Sequence, residues 1–174
     1  MNLPNSLTFL RILMIPIVAV LFSRGAYTAA ALVFLLACLT DILDGYLARH
    51  LQKITEMGKL LDPLADKGMQ LTVLVSLAWC GRMPYLSVWI VLGKELLMFL
   101  GGLYLFRQQV VVSANWYGKA ATVLISACVM AVILLYDFIP PILLQIVQWT
   151  PPVAAIFAFV LYFVAFLQQI RKES

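Results

Sequence analysis

Apolar residues run in long blocks along this chain, separated by short breaks that are polar or carry proline and glycine. About 20 apolar residues in a helix span a bilayer. The blocks therefore predict helices over about Leu7–Phe22, Thr28–Arg49, Gly58–Trp79, Tyr85–Phe106, Trp116–Tyr136 and Val153–Gln168. Pro4, Asn5 and Ser6 supply a helix start. Ser23–Gly25 and Cys80–Pro84 read as turns, and His50–Met57 and Arg107–Asn115 as polar connections. Pro140, Pro141, Pro151 and Pro152 predict that Ile142–Trp149 is a short interfacial piece, not part of a span. The expected fold is all-α, an integral membrane protein of six transmembrane helices forming one embedded domain over residues 1–174.

Composition agrees. Of 174 residues, 64% are hydrophobic and 11% charged, far too apolar for a soluble domain of this length. The formal charge of +4 raises the question of nucleic acid, but the cations are scattered between apolar runs rather than gathered in a patch. No nucleic-acid partner is expected. Cys38, Cys80 and Cys128 lack paired spacing and read as small buried hydrophobes. Arg11 and Pro16 interrupt the first block, which predicts a retained helix rather than a cleaved signal. Arg11, Arg49, Lys53, Lys59, Lys67, Arg107, Lys119, Arg171 and Lys172 fall on one side, and Arg24 and Arg82 on the other. That bias places the first side, with both termini, in the cytoplasm. Trp79, Tyr85, Trp89 and Trp149 near helix ends suit interfacial anchors.

Against this lipid-facing background stands one polar run, Asp41-x2-Asp44-Gly45-x2-Ala48-Arg49-x8-Gly58-x3-Asp62-x3-Asp66. On helices, positions 41, 44, 45 and 48 share one face and 58, 62 and 66 form a stripe on another. Four carboxylates thus approach a common centre. At roughly 2.5 to 3.5 kcal/mol each at membrane depth, four unpaired acids would cost about 10 kcal/mol. Divalent hard cations, Mg²⁺ or Mn²⁺, are the obvious counter-charges, and two of them balance four acids. Such a pair clamps a diphosphate and stabilises charge on attacking and leaving oxygens, and a free carboxylate takes a proton from a hydroxyl. Gly45 and Ala48 leave the helix face bare for a nucleotide or phosphate. Simple ion pairs, Asp41 or Asp44 with Arg49 and Asp62 or Asp66 with Lys59 or Lys67, would account for one or two of these residues but not for the whole spacing.

The complete run resembles the signature of the CDP-alcohol phosphotransferase family at every fixed position. The likeness extends through Pro4-Asn5-x-Leu7-Thr8-x-x-Arg11 and Asp62-Pro63-x-Ala65-Asp66-Lys67 to essentially the whole chain. It implies six transmembrane helices, a homodimer, and a site open to the cytoplasmic leaflet of the cell membrane. By the same resemblance Asp41, Asp44, Asp62 and Asp66 ligate two Mg²⁺ or Mn²⁺ ions, and Asp66 is also the catalytic base. Asp41, Gly45, Ala48, Arg49 and Gly58 line the pocket for the CDP moiety of CDP-diacylglycerol, and CMP leaves when a hydroxyl attacks.

Within the family the chain is most similar to bacterial phosphatidylglycerophosphate synthases, whose acceptor is sn-glycerol 3-phosphate. An anionic acceptor needs cations, and Arg11, Lys94, Arg107 and Lys119 lie toward the motif side. In Lys94-Glu95-Leu96-Leu97-Met98-Phe99 the second Arg-Glu of that branch is absent. Cardiolipin synthases, which accept phosphatidylglycerol, also often lack it, and they form the alternative. His50, the single histidine, reads as interfacial. A cation transporter remains the rival from another class, although it predicts acids spread through the membrane depth or inverted repeats, and neither is seen.

Overall fold

The structure, a computed structural model, describes residues 3–51, 56–107 and 116–173, with the side chains of 3–5, 44–51, 56–60, 63, 102–107, 116, 117, 119 and 165–173 outside the description. The described residues form six helices: α1 (Leu3–Ser23), α2 (Tyr27–Leu51), α3 (Glu56–Trp79), α4 (Tyr85–Arg107), α5 (Trp116–Leu135) and α6 (Pro141–Glu173). They divide into two units. The first holds Met1–Met83 with Ile133–Asp137, and the second Pro84–Val132 with Phe138–Ser174.

In the first unit α1 packs along both α2 and α3, which touch each other much less. Thr8, Arg11, Val18 and Phe22 are its buried stripe, at helical spacing. Small residues bring the helices close: Ala30, Ala31 and Ala37 are buried on α2, and a Cβ at Gly68 of α3 would lie 3.1 Å from Ile15 Cδ1. The outer skin is apolar too, with Leu10, Leu13, Ile17 and Val20 of α1 and Leu32, Leu35, Leu36 and Leu39 of α2 all exposed. In water so large a patch drives aggregation; against lipid it is ordinary.

Both predicted turns have the same cause. Gly25 and Gly81 take φ of +69° and +70°, where a side chain is strained. Around each, bonds from Gly25 N to the Phe22 carbonyl and Ala26 N to Leu21, and from Gly81 N to Ala78 and Arg82 N to Leu77, close a helix end. The Arg82 guanidinium then sits 3.8 Å from the Tyr27 ring centre and 4.6 Å from that of Tyr136, with Nη2 2.9 Å from Asp137 Oδ2. One cation ties the α1–α2 turn, the α3–α4 turn and the 133–137 segment together.

In the second unit the sequence expectation fails at α6. Ile142–Trp149 is not a separate piece: α6 continues through Pro151 and Pro152 to Glu173. Proline at 152 removes the N–H that would bond the Gln148 carbonyl. Ser87 of α4, fully buried, donates its hydroxyl to that carbonyl at 3.3 Å. A neighbouring helix thus supplies the donor that the proline withholds, the condition under which membrane helices tolerate proline.

Among the described residues two stretches are long and apolar enough to cross a membrane, Ser6–Ser23 and Pro141–Val164, and Tyr27–Leu43 and Ala120–Leu135 are shorter apolar ones. The polar run that ends α2 and begins α3 limits their apolar length. Six spans are expected; of the six helices among the described residues, two meet that criterion.

Candidate functional site

α2 is helical through Leu51, so positions 41, 44, 45 and 48 keep the one-face spacing. α3 starts at Glu56 and carries 58, 62 and 66 one turn apart. The side chains of Asp44, Gly45, Ala48, Arg49 and Gly58 lie outside the described residues, as do those of Arg107 and Lys119. Asp41, Asp62 and Asp66 are described, and all three are half-buried.

α1 reaches both acid-bearing helices. Arg11 is 1% exposed, and its Nη1 lies 2.9 Å from Asp41 Oδ1, whose side chain is 42% exposed. The geometry is that of an ion pair rather than an aligned hydrogen bond. Three residues earlier Thr8, also 1% exposed, donates its hydroxyl to Asp62 Oδ1. Arg11, expected among acceptor-binding cations, is therefore held within the α1–α2 packing beside Asp41. Thr8 enters the sequence reading only as one position of the opening run. The signal that distinguishes it is a hydroxyl three residues before an arginine on an otherwise apolar helix face.

Gln70 is a second residue the sequence reading passed over. It lies one turn beyond Asp66, is 4% exposed, and its Nε2 has no hydrogen-bond partner among the described residues. In the second unit Lys94 Nζ donates to Glu95 Oε1 at 2.8 Å, with side-chain exposures of 12% and 14%. The lysine predicted to meet the acceptor thus has its chain neighbour as counter-ion.

Among the described residues no three acids, histidines or cysteines converge closely enough to hold a metal by themselves. The donor set that α2 and α3 carry is nonetheless all carboxylate, the chemistry of a Mg²⁺ or Mn²⁺ site rather than of zinc or copper. Asp41 faces the buried guanidinium of Arg11, which offsets part of its charge.

Residues 1–169 match the CDP-alcohol phosphatidyltransferase family. A protein of Aquifex aeolicus named CDP-diacylglycerol--glycerol-3-phosphate 3-phosphatidyltransferase is 32% identical over 134 residues, covering 76% of this chain and 75% of that protein. One of the same name from Bacillus subtilis is 36% identical over 136 residues, 70% of each chain. A Schizosaccharomyces pombe fusion protein named cardiolipin synthase (CMP-forming) / mitochondrial hydrolase is 39% identical over 104 residues, which cover 60% of this chain and 18% of the fusion. With the motif helices in place and the match running almost from end to end, the chain belongs to the CDP-alcohol phosphatidyltransferase family of membrane-associated enzymes.

Proposed function

We propose that this enzyme transfers the phosphatidyl group of CDP-diacylglycerol to the hydroxyl of sn-glycerol 3-phosphate, giving phosphatidylglycerophosphate and CMP. The observation that carries this reading is the identity to the Aquifex and Bacillus proteins of that name across most of the chain. Asp41, Asp44, Asp62 and Asp66 would hold two Mg²⁺ or Mn²⁺ ions. When bound, these ions neutralise the acids and the diphosphate and stabilise the charge on the departing CMP oxygen.

The chain's own residues do the rest. Gly45, Ala48 and Gly58 leave room for the CDP moiety to lie against α2 and α3, and Asp41 and Arg49 contact it. Asp66 accepts the proton of the acceptor hydroxyl as its oxygen bonds to the lipid-bearing phosphorus. The bond from that phosphorus to the CMP oxygen breaks, and CMP leaves. Lys94, Arg107 and Lys119 recognise the acceptor phosphate, and Glu95 is the counter-ion beside Lys94. All six helices cross the membrane, the motif ends of α2 and α3 facing the cytoplasm as the lysine and arginine bias supports. The working unit is a homodimer.

A second reading has its own support. The cardiolipin synthase match and the missing second Arg-Glu after Lys94-Glu95 favour phosphatidylglycerol as acceptor. CMP release from CDP-diacylglycerol, with Mg²⁺ or Mn²⁺ and each acceptor supplied separately, separates the two. Release only with glycerol 3-phosphate supports the first, and release only with phosphatidylglycerol replaces it. Membership of an enzyme family leaves the cation-transporter reading without support, and metal-dependent release with neither acceptor would restore it.

A further inference from the structure

Thr8 does not belong to the acid motif, yet its hydroxyl bonds Asp62 from another helix. We propose that Thr8 is a positioning residue for the metal-ligating carboxylate of Asp62, an inference that rests on the two-cation reading above. A carboxylate has two oxygens and about four lone-pair directions, and its terminal torsion is broad, so its plane swings unless a donor fixes it. The Thr8 hydroxyl occupies one direction on Oδ1, so the plane of the carboxylate that would take a cation is set from α1. The donor is itself stiff: threonine is β-branched, its side chain is 1% exposed, and α1 lies against α3 through the tight Ile15–Gly68 contact.

Burial alone does not demand this bond. A helical threonine can satisfy its hydroxyl on the carbonyl four residues earlier. Here the bond crosses to α3 and ends on an acid of the motif. Ligating carboxylates are usually held by such outer partners, whose loss weakens metal binding about 10- to 100-fold.

The test uses the full chain, stripped of metal, in lipid nanodiscs, with Mn²⁺ alone as probe and binding read by electron paramagnetic resonance. Thr8→Val should bind Mn²⁺ about 10- to 100-fold more weakly than wild type while its thermal midpoint stays within a few degrees. Thr8→Ser, which keeps the hydroxyl, should stay within about threefold of wild type. In an Asp62→Asn background Thr8→Val should change affinity less than about twofold, because its partner is already lost. Wild-type affinity in Thr8→Val, an additive loss in the double variant, or a wild type that binds no Mn²⁺ would each overturn the proposal. If Thr8→Val and Thr8→Ala both unfold, the hydroxyl is structural and the proposal falls as well. CMP release by the wild type is run alongside; its absence with every acceptor would sink the proposed function without deciding the Mn²⁺ cycle.

Discussion

Arg11 is buried and Asp41 is not: the guanidinium of α1, 1% exposed, stands 2.9 Å from a carboxylate of α2 that is 42% exposed. The arginine needs the acid more than the acid needs the arginine. Replacing Asp41 by Asn should therefore cost stability as well as activity, because a buried charge loses this ion pair. The expected loss is about 1 to 3 kcal/mol, below the figure for fully buried pairs because water reaches Asp41. Adding Arg11→Met should return most of the stability and none of the activity. The comparison is read from denaturation midpoints of the single and double variants, and an unchanged midpoint in Asp41→Asn would remove the ion pair from the stability account.

Asp66 should behave differently. As the proposed base it acts on the hydroxyl proton, so Asp66→Asn should lower turnover by about 10²- to 10⁴-fold. Binding of CDP-diacylglycerol should largely persist, since Asp41, Asp44 and Asp62 remain. Single-turnover CMP release paired with equilibrium binding of the CDP-lipid separates the two effects. Near-wild-type turnover would take the base role from Asp66.

These two acids show how far the sequence could be read. The motif spacing alone placed Asp41 on one helix and Asp62 and Asp66 on the next, because a 3.6-residue period is a local property. Turns at Gly25 and Gly81 were equally local. What could not be read were relations between helices distant in sequence. Arg11 looked like a free cation for an acceptor because its partner lies 30 positions away. Thr8 stands in the opening run with no role of its own, and Pro151-Pro152 reads as a break because the donor that rescues the helix sits on α4.

That rescue gives the next prediction. Ser87→Ala removes the hydroxyl that bonds the buried Gln148 carbonyl, the acceptor whose helical donor Pro152 lacks. Hydrogen bonds between membrane helices average about 0.6 kcal/mol and reach about 1.7 kcal/mol. A loss in that range is expected in a steric-trap or denaturant measurement, with Ser87→Thr recovering part of it. No loss would mean that water or backbone adjustment serves this carbonyl instead.

Gln70 runs the opposite way. Its Nε2 is buried on α3 with no acceptor among the described residues, a desolvated donor without a hydrogen bond there. Leucine has nearly the same volume and no polar atom. Gln70→Leu should leave the protein as stable as wild type or more stable by up to about 1 kcal/mol, where most core substitutions destabilise. The thermal midpoint in detergent checks this directly. CMP release on the same preparation adds a second answer: a more stable but slower enzyme would mean that the amide, one turn beyond Asp66, is kept for the reaction, whereas a clear drop in midpoint would show that Gln70 is bonded in the folded protein after all.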